Sequence, residues 1–280
     1  MRSRSHHVNT PISIVGQSIV RFNQPAICYI AYRKGISVAI NNGKGIIKIH
    51  GLSWLSKYLE KKIRRTLRAL ELRGVDVEVD GTGSLPTYDV VIAVLYEVLK
   101  AENISHQEAI GILSEALEIP RERVKLTLGV LGAKGVVAYR EVEGTMELRE
   151  DFPWLIGICG ASPLKVSFIE GGKLEESLNI VIHALGRSVI TIARSIIEQD
   201  FEEFKEAITF YSEVIAALLK VPLKLLSVFR KVSRLSSCAC KIDEDMRSLM
   251  IFSLTEDGLR KGLNIAERMG LKTMAFGCFS

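Results

Sequence analysis

The residues able to do chemistry are few and scattered. Asp243-Glu-Asp245 sets three carboxylates in a row, with Arg247 two residues on. Such a run either gathers a hard cation or forms a solvated acidic turn, and the turn is the expectation here. His50, His106 and His183 share no metal-ligand spacing with a cysteine or carboxylate cluster, so no metal site is expected. His183 lies in an apolar run and reads as a core or interface residue. The cysteines at 28, 159, 238, 240 and 278 are odd in number, and Cys238-Ala-Cys240 has no second pair at zinc spacing. They read as reduced, mostly buried thiols of a cytoplasmic protein. Asp80-Gly-Thr-Gly-Ser-Leu-Pro-Thr87 precedes a strongly apolar run. Taken alone it is a turn before a helix.

Those residues need elements to hold them, and the chain can build many. It has 280 residues, of which 48% are hydrophobic and 25% charged, enough apolar content for a sizeable core. The net charge of +5 permits an anionic ligand without singling out nucleic acid, and 7% aromatics is too few for a base-stacking platform. The nearest approach to a membrane-length apolar stretch, Asn179–Ile197, is interrupted by Arg187 and Arg194. No membrane partner is expected.

Short β-branched runs at Ile12–Val15, Ala26–Ile30, Ile36–Ile40 and Ile46–Ile49 read as strands. Turns are expected at 23–25, 33–35 and 41–45, with Asn42-Gly43 the strongest hairpin signal. Leu55, Leu59, Ile63, Leu67 and Leu70 then mark one helical face, stopped at Gly74. Lys57, Lys61, Lys62, Arg64, Arg65 and Arg68 surround that stripe and read as its solvated side. Val75–Val79 alternates as a strand. Helices follow at 88–101 and from the Ser105/Glu108 capping-box pair to about 117, then strands at 136–139, 145–148 and 154–158. Past Gly172 come long helices at 175–199, 201–219 and 224–233. A strand at 248–254, a helix capped by Thr255 and a last strand at 271–276 complete an α+β chain.

This order of elements resembles the GHMP small-molecule kinases, and among them most resembles the mevalonate kinases, along nearly the whole chain. Val8–Ser18 running into Arg21-Phe-Asn-Gln-Pro-Ala-Ile27 is similar to the family opening in spacing, Gly16 and Pro25-Ala-Ile27. Gly83–Asp89 stands where the family has its glycine-rich phosphate loop, Leu128–Tyr139 where it has a Ser-Gly-Ile-Asp segment entering a strand, and Cys240–Leu249 where it has a second glycine-rich loop. The resemblance implies two lobes, an N-terminal one like domain 2 of ribosomal protein S5 (1–168) and a ferredoxin-like C-terminal one (169–280). It implies ATP and Mg²⁺ as cofactors and phosphoryl transfer to a small-molecule hydroxyl, as in isoprenoid biosynthesis. It makes Gly83, Ser84, Pro86 and Thr87 the nucleotide-binding candidates.

The reacting groups depart from the family pattern. The family lysine falls on Pro11, its Glu-His pair on Gln17-Ser18 and its catalytic aspartate on Thr127, which cannot take a proton at neutral pH. Leu85 and Pro86 stand for loop residues whose N–H groups should face phosphates, and Pro86 has none. Asp89 is expected to complement the helix dipole, and Lys241, though retained, to lie on the surface. A divergent kinase is therefore weighed against a pseudokinase that binds a small molecule or nucleotide, or regulates a partner. Nucleic-acid binding through the helix at 57–73 ranks below both, and a homodimer is an assembly the chain allows.

Overall fold

The computed structural model describes residues 4–72, 74–82, 84, 86–160, 175–219, 221–243 and 248–276. Three strands open the chain: β1 (Arg4–Val15), β2 (Ala26–Asn42) and β3 (Ile47–His50). They are followed by α1 (Ser56–Ala69), β4 (Val75–Asp80), α2 (Tyr88–Ala101), α3 (His106–Leu117), α4 (Arg121–Val130), β5 (Gly135–Arg140), β6 (Gly144–Arg149) and β7 (Leu155–Gly160). The remainder is α5 (Glu175–Glu198), α6 (Phe201–Leu218), α7 (Leu223–Val232), β8 (Cys238–Asp243), β9 (Ser248–Ser253), α8 (Glu256–Arg268) and β10 (Lys272–Phe276). The class is α+β, as the element pattern implied.

Two sheets organise these elements. In the first, β2 pairs antiparallel with β1 along most of its length. It divides its other pairings between β5 at residues 26–30 and β4 at residues 37–42. The second sheet has the order β10-β7-β9-β8 and is antiparallel throughout. By sheet membership, therefore, β7 goes with the C-terminal half. One core joins the sheets: Ile12, Ile14 and Ile27 of the first pack with Ile156, Met250 and Phe252 of the second, under Val189 of α5 and Phe204 of α6.

Local chemistry sets several boundaries as read. Ser105 and Glu108 form the reciprocal capping box of α3, and the Thr255 hydroxyl accepts from the Gly258 N–H at the start of α8. Val75–Asp80 alternates between inward and outward residues, as a half-buried strand should.

Several local expectations are corrected. The chain does not reverse at 33–35: β2 continues with a bulge, its pairing to β1 jumping from Ile36–Val8 to Ala31–Thr10, and Gly35 allows the close approach because a Cβ there would stand 2.5 Å from the Val8 carbonyl oxygen. Asn42-Gly43 makes no two-residue hairpin, since β3 pairs in parallel with β4 and the Gly43 N–H donates to Gly74. Helix α4 and strand β8 form where no element had been read. His183 is exposed on α5, which removes the core half of its reading and leaves the interface half open. The segment Asn179–Glu198 does reach the length and apolarity of a membrane span, and 44% of its 18-residue window is buried within the fold.

Gly16 fixes the turn out of β1. Its φ is +93°, and a Cβ would approach the Pro25 carbonyl oxygen to 2.5 Å. Gly16→Ala is expected to lower stability by at least about 1–3 kcal/mol, read as a lower urea midpoint with unchanged slope.

Candidate functional site

Asp89 and Lys241, two positions singled out in the sequence, meet at Ser13 of β1 where the two sheets join. Asp89 in the first turn of α2 is 2% exposed and Arg123 of α4 is 1% exposed. Arg123 Nη2 donates to Asp89 Oδ1 at 2.8 Å, and the Thr127 hydroxyl donates to the same oxygen at 2.7 Å. Arg123 Nη1 donates to Thr127 Oγ1 at 2.6 Å, closing a three-residue ring. Asp89 Oδ2 accepts the Ser13 N–H at 3.1 Å. Spacing makes this possible, because Arg123 and Thr127 lie four apart on one face of α4 and both meet the start of α2.

The other lobe completes the cluster. Lys241 of β8 is fully buried, and its Nζ donates to the Ser13 carbonyl at 3.2 Å. Asp243, also buried, accepts from Gln17 Nε2 at 3.3 Å and from the Ser248 hydroxyl at 3.0 Å. Tyr211 of α6 accepts the Gly16 N–H at 3.2 Å through its hydroxyl oxygen. Two carboxylates and two cations thus sit in one interior seam with balanced charge. Three side-chain oxygens in the seam residues, Gln17 Oε1, Ser18 Oγ and Thr87 Oγ1, are buried without a hydrogen-bond partner among the described residues.

Electrostatics fixes the protonation states. Burial opposes ionisation of Asp89, but the Arg123 guanidinium and the hydrogen bonds from Thr127, Arg123 and Ser13 outweigh it and hold the carboxyl below its usual range. Burial, reinforced by the Asp89 carboxylate, pushes the neighbouring Cys28 thiol up to about 12, so it stays neutral.

These positions correct the sequence reading in several places. Asp89 is a buried ion-pair partner as well as a first-turn residue. Lys241 is interior rather than on the surface, and Asp243 is bonded rather than part of a solvated turn; Glu244, Asp245 and Arg247 lie outside the described residues. Pro86 stands just before Thr87, the N-cap of α2, which is extended and has no capping bond from its side chain. Ser84 is buried, with its hydroxyl donating to the Gly35 carbonyl at 3.3 Å. Gly83 and Leu85 lie outside the described residues. Pro11 is buried within β1, paired with Ile30. Sequence reasoning missed Arg123, although a charged residue at i−4 from Thr127 with Asp89 at a helix start was the available signal.

The residues present fit a magnesium-bound polyphosphate poorly. Pro86 lacks a donor, the Ser84 hydroxyl is engaged, and Asp89 and Asp243 have their oxygens taken by protein donors. No group of three or more histidine, cysteine or acidic side chains is arranged to hold a metal among the described residues.

The basic helix is a separate feature. On α1, Lys57, Lys61, Arg64, Arg65 and Arg68 line an open cleft of about 460 Å³ together with Glu60. Arg64 pairs with Glu60 at 2.8 Å, Arg65 with Glu118 at 2.9 Å, and Lys62 donates to the Ala116 carbonyl. Its opposite face, with Leu59, Ile63 and Leu67, is core.

No protein-family model matches the sequence, and no curated protein matches it. Solved structures match its fold from end to end. Mevalonate kinase of Methanococcus jannaschii superposes with a TM-score of 0.59 at 14% identity, covering 98% of both chains. Phosphomevalonate kinase of Streptococcus pneumoniae, solved with phosphomevalonate and AMPPNP, gives 0.57 at 11% identity over 97% of this chain and 99% of that one. Mevalonate pyrophosphate decarboxylase of Streptococcus pyogenes gives 0.60 at 10% identity, over 98% and 96%. The chain therefore has the two-lobed fold of the GHMP kinases. Within that class its fold is mevalonate-kinase-like, with full-length neighbours that include two kinases and a decarboxylase of related substrates.

Removing one partner of the Asp89–Arg123 pair would leave the other charge buried and unpaired. Asp89→Asn and Arg123→Met should each cost about 3–5 kcal/mol in urea unfolding, and the double change Asp89→Leu/Arg123→Met clearly less than the sum. Because the folded pKa of Asp89 is depressed, its contribution is fully present above the unfolded value of about 3.9. It should be lost as pH falls through the lower, folded value. Wild-type stability measured against pH should drop in that acid range, and the drop should shrink in the double variant.

Proposed function

We propose that this chain is a GHMP-fold protein that binds a small polar molecule or nucleotide without transferring a phosphoryl group. The observation that carries this reading is the Asp89–Arg123–Thr127 ring. The hydroxyl at the position of the family base is locked between a carboxylate and a guanidinium. The nearest carboxylate is held ionised by a cation and three hydrogen bonds, which makes it a weak base. Phosphoryl transfer relies chiefly on positioning and on charge stabilisation of the phosphates. Here the groups in that place neutralise one another instead. The three buried oxygens without a partner among the described residues support retained binding, because buried polar atoms ordinarily find a partner in protein, water or ligand. The four described thiols, all free and buried, support a cytoplasmic location for the protein.

A working kinase with displaced groups is the competing reading. It would rest on Lys241, whose ammonium reaches β1 two residues from Pro11. Calorimetric titration with ATP, with and without Mg²⁺, and a coupled ADP assay with mevalonate and phosphomevalonate decide between them. The expected outcome is weak or undetectable Mg-ATP binding and no turnover above the protein-free rate. Low-micromolar Mg-ATP affinity, or turnover with either substrate, would overturn the proposal.

A further inference from the structure

The basic side of α1 is more than a solvated helix face. Lys57, Glu60, Lys61, Arg64, Arg65 and Arg68 follow one another along the helix, and all six line one open cleft of about 460 Å³. From the first to the last the helix rises roughly 16 Å, about three turns. The helix is held firmly behind that cleft. Leu59, Ile63 and Leu67 are in the core, and Lys62 Nζ donates to the Ala116 carbonyl of α3 at 3.0 Å.

The carboxylates here orient cations without cancelling them. Glu60 Oε1 accepts from Arg64 Nε at 3.0 Å and from Nη2 at 2.8 Å. Arg65 is paired with Glu118 at 2.9 Å. Lys57, Lys61 and Arg68 are exposed and have no ion pair or hydrogen bond among the described residues. Counting Glu118 with the lining residues, five cations face two carboxylates, an excess of three. The whole chain carries a net charge of only +5. Crowding of cations shows at Lys62 beside the stripe. Burial holds its ammonium below the usual value, and Arg65 and Lys61 push it the same way against Glu118.

What this cleft can bind follows from its chemistry. No lining residue is apolar or aromatic. A stable protein interface has an apolar centre, and a single nucleic-acid strand is held by stacking its bases on aromatic rings. A helix lying on a lipid surface turns its apolar face outward, whereas that face of α1 is in the core. A row of cations with no apolar component suits the backbone of a duplex, which binds by charge and without regard to sequence. One strand of a duplex carries a phosphate about every 3.4 Å of its axis, so roughly 16 Å of α1 runs beside about five of them.

We propose that the α1 cleft is a docking surface for the phosphate backbone of double-stranded nucleic acid. Lys57, Lys61 and Arg68 neutralise phosphates, and Arg64 and Arg65 stand oriented beside them. No base is read. This capacity is separate from the seam between the two sheets and does not depend on what that seam binds.

Fluorescence anisotropy of a labelled DNA duplex, titrated with the full chain at several salt concentrations, reads the outcome. The logarithm of the association constant should fall against the logarithm of salt with a slope of about −2.7, at about 0.9 for each of the three cations. Changing the duplex sequence should leave the affinity unaltered. Lys57→Gln, Lys61→Gln and Arg68→Gln should each weaken binding at least about threefold at low salt and reduce the slope by about one. Arg230→Gln and Lys231→Gln remove the same charge from the exposed end of α7, a helix that packs on β8 and β9. They should leave binding unchanged. Circular dichroism confirms that each variant is folded. No binding at low salt, binding indifferent to the three α1 changes, or equal weakening by the α7 changes would overturn the proposal. So would equally tight binding of polyglutamate or of phosphatidylcholine–phosphatidylglycerol vesicles, which would assign the cleft to acidic protein or to lipid.

Discussion

One peptide segment, Ser13 in β1, is gripped from both sides of the molecule. Its N–H donates to Asp89 at the head of α2, and its carbonyl accepts from Lys241 in β8. The first bond ties it to α2, which packs on the sheet that begins the chain, and the second ties it to the sheet that ends it. A strand whose backbone is shared in this way cannot shift without breaking a charge-assisted bond in one lobe or the other. The position of the two sheets relative to one another thus depends on a buried electrostatic contact as well as on the common apolar core.

That contact has a chemical consequence. Buried charges persist only when paired, and the seam holds Asp89 with Arg123, and Lys241 with Asp243 nearby, in overall balance. In a phosphoryl-transfer site the cations face a ligand whose charge they stabilise. Here cation and carboxylate face each other, and the Thr127 hydroxyl bonds to both. Among the described residues, Gln17 Oε1, Ser18 Oγ and Thr87 Oγ1 are buried without a hydrogen-bond partner.

The α5–α6 hairpin shows the same division between inner and outer demands. Its inner residues, among them Leu185, Val189, Phe204 and Ile208, fill the core beneath both sheets. A 24-residue helix with that inner face already has its packing partner. Ile180, Ile190 and Ile197 on its outer side lie outside that core and are exposed.

The sequence by itself determined most of the elements. Helical spacing at Leu55–Leu70, the Ser105/Glu108 and Thr255 caps, and alternation in Val75–Val79 are local signals, set by residues within a few positions of each other. Its element order was enough to resemble the right fold class at identities near 10–14%. What it did not show were the properties that depend on distant residues. The run through Gly35 depends on how close β1 lies, and the parallel β3–β4 pairing overrides the Asn42-Gly43 turn signal. Lys241 looks like an ordinary exposed lysine until β8 is placed beside β1, 228 residues away in sequence. Arg123, Thr127 and Asp89 form a site only when α4 crosses the head of α2. Whether a charge is solvated, paired or reactive is a property of its surroundings, and those surroundings exist only once the chain has folded.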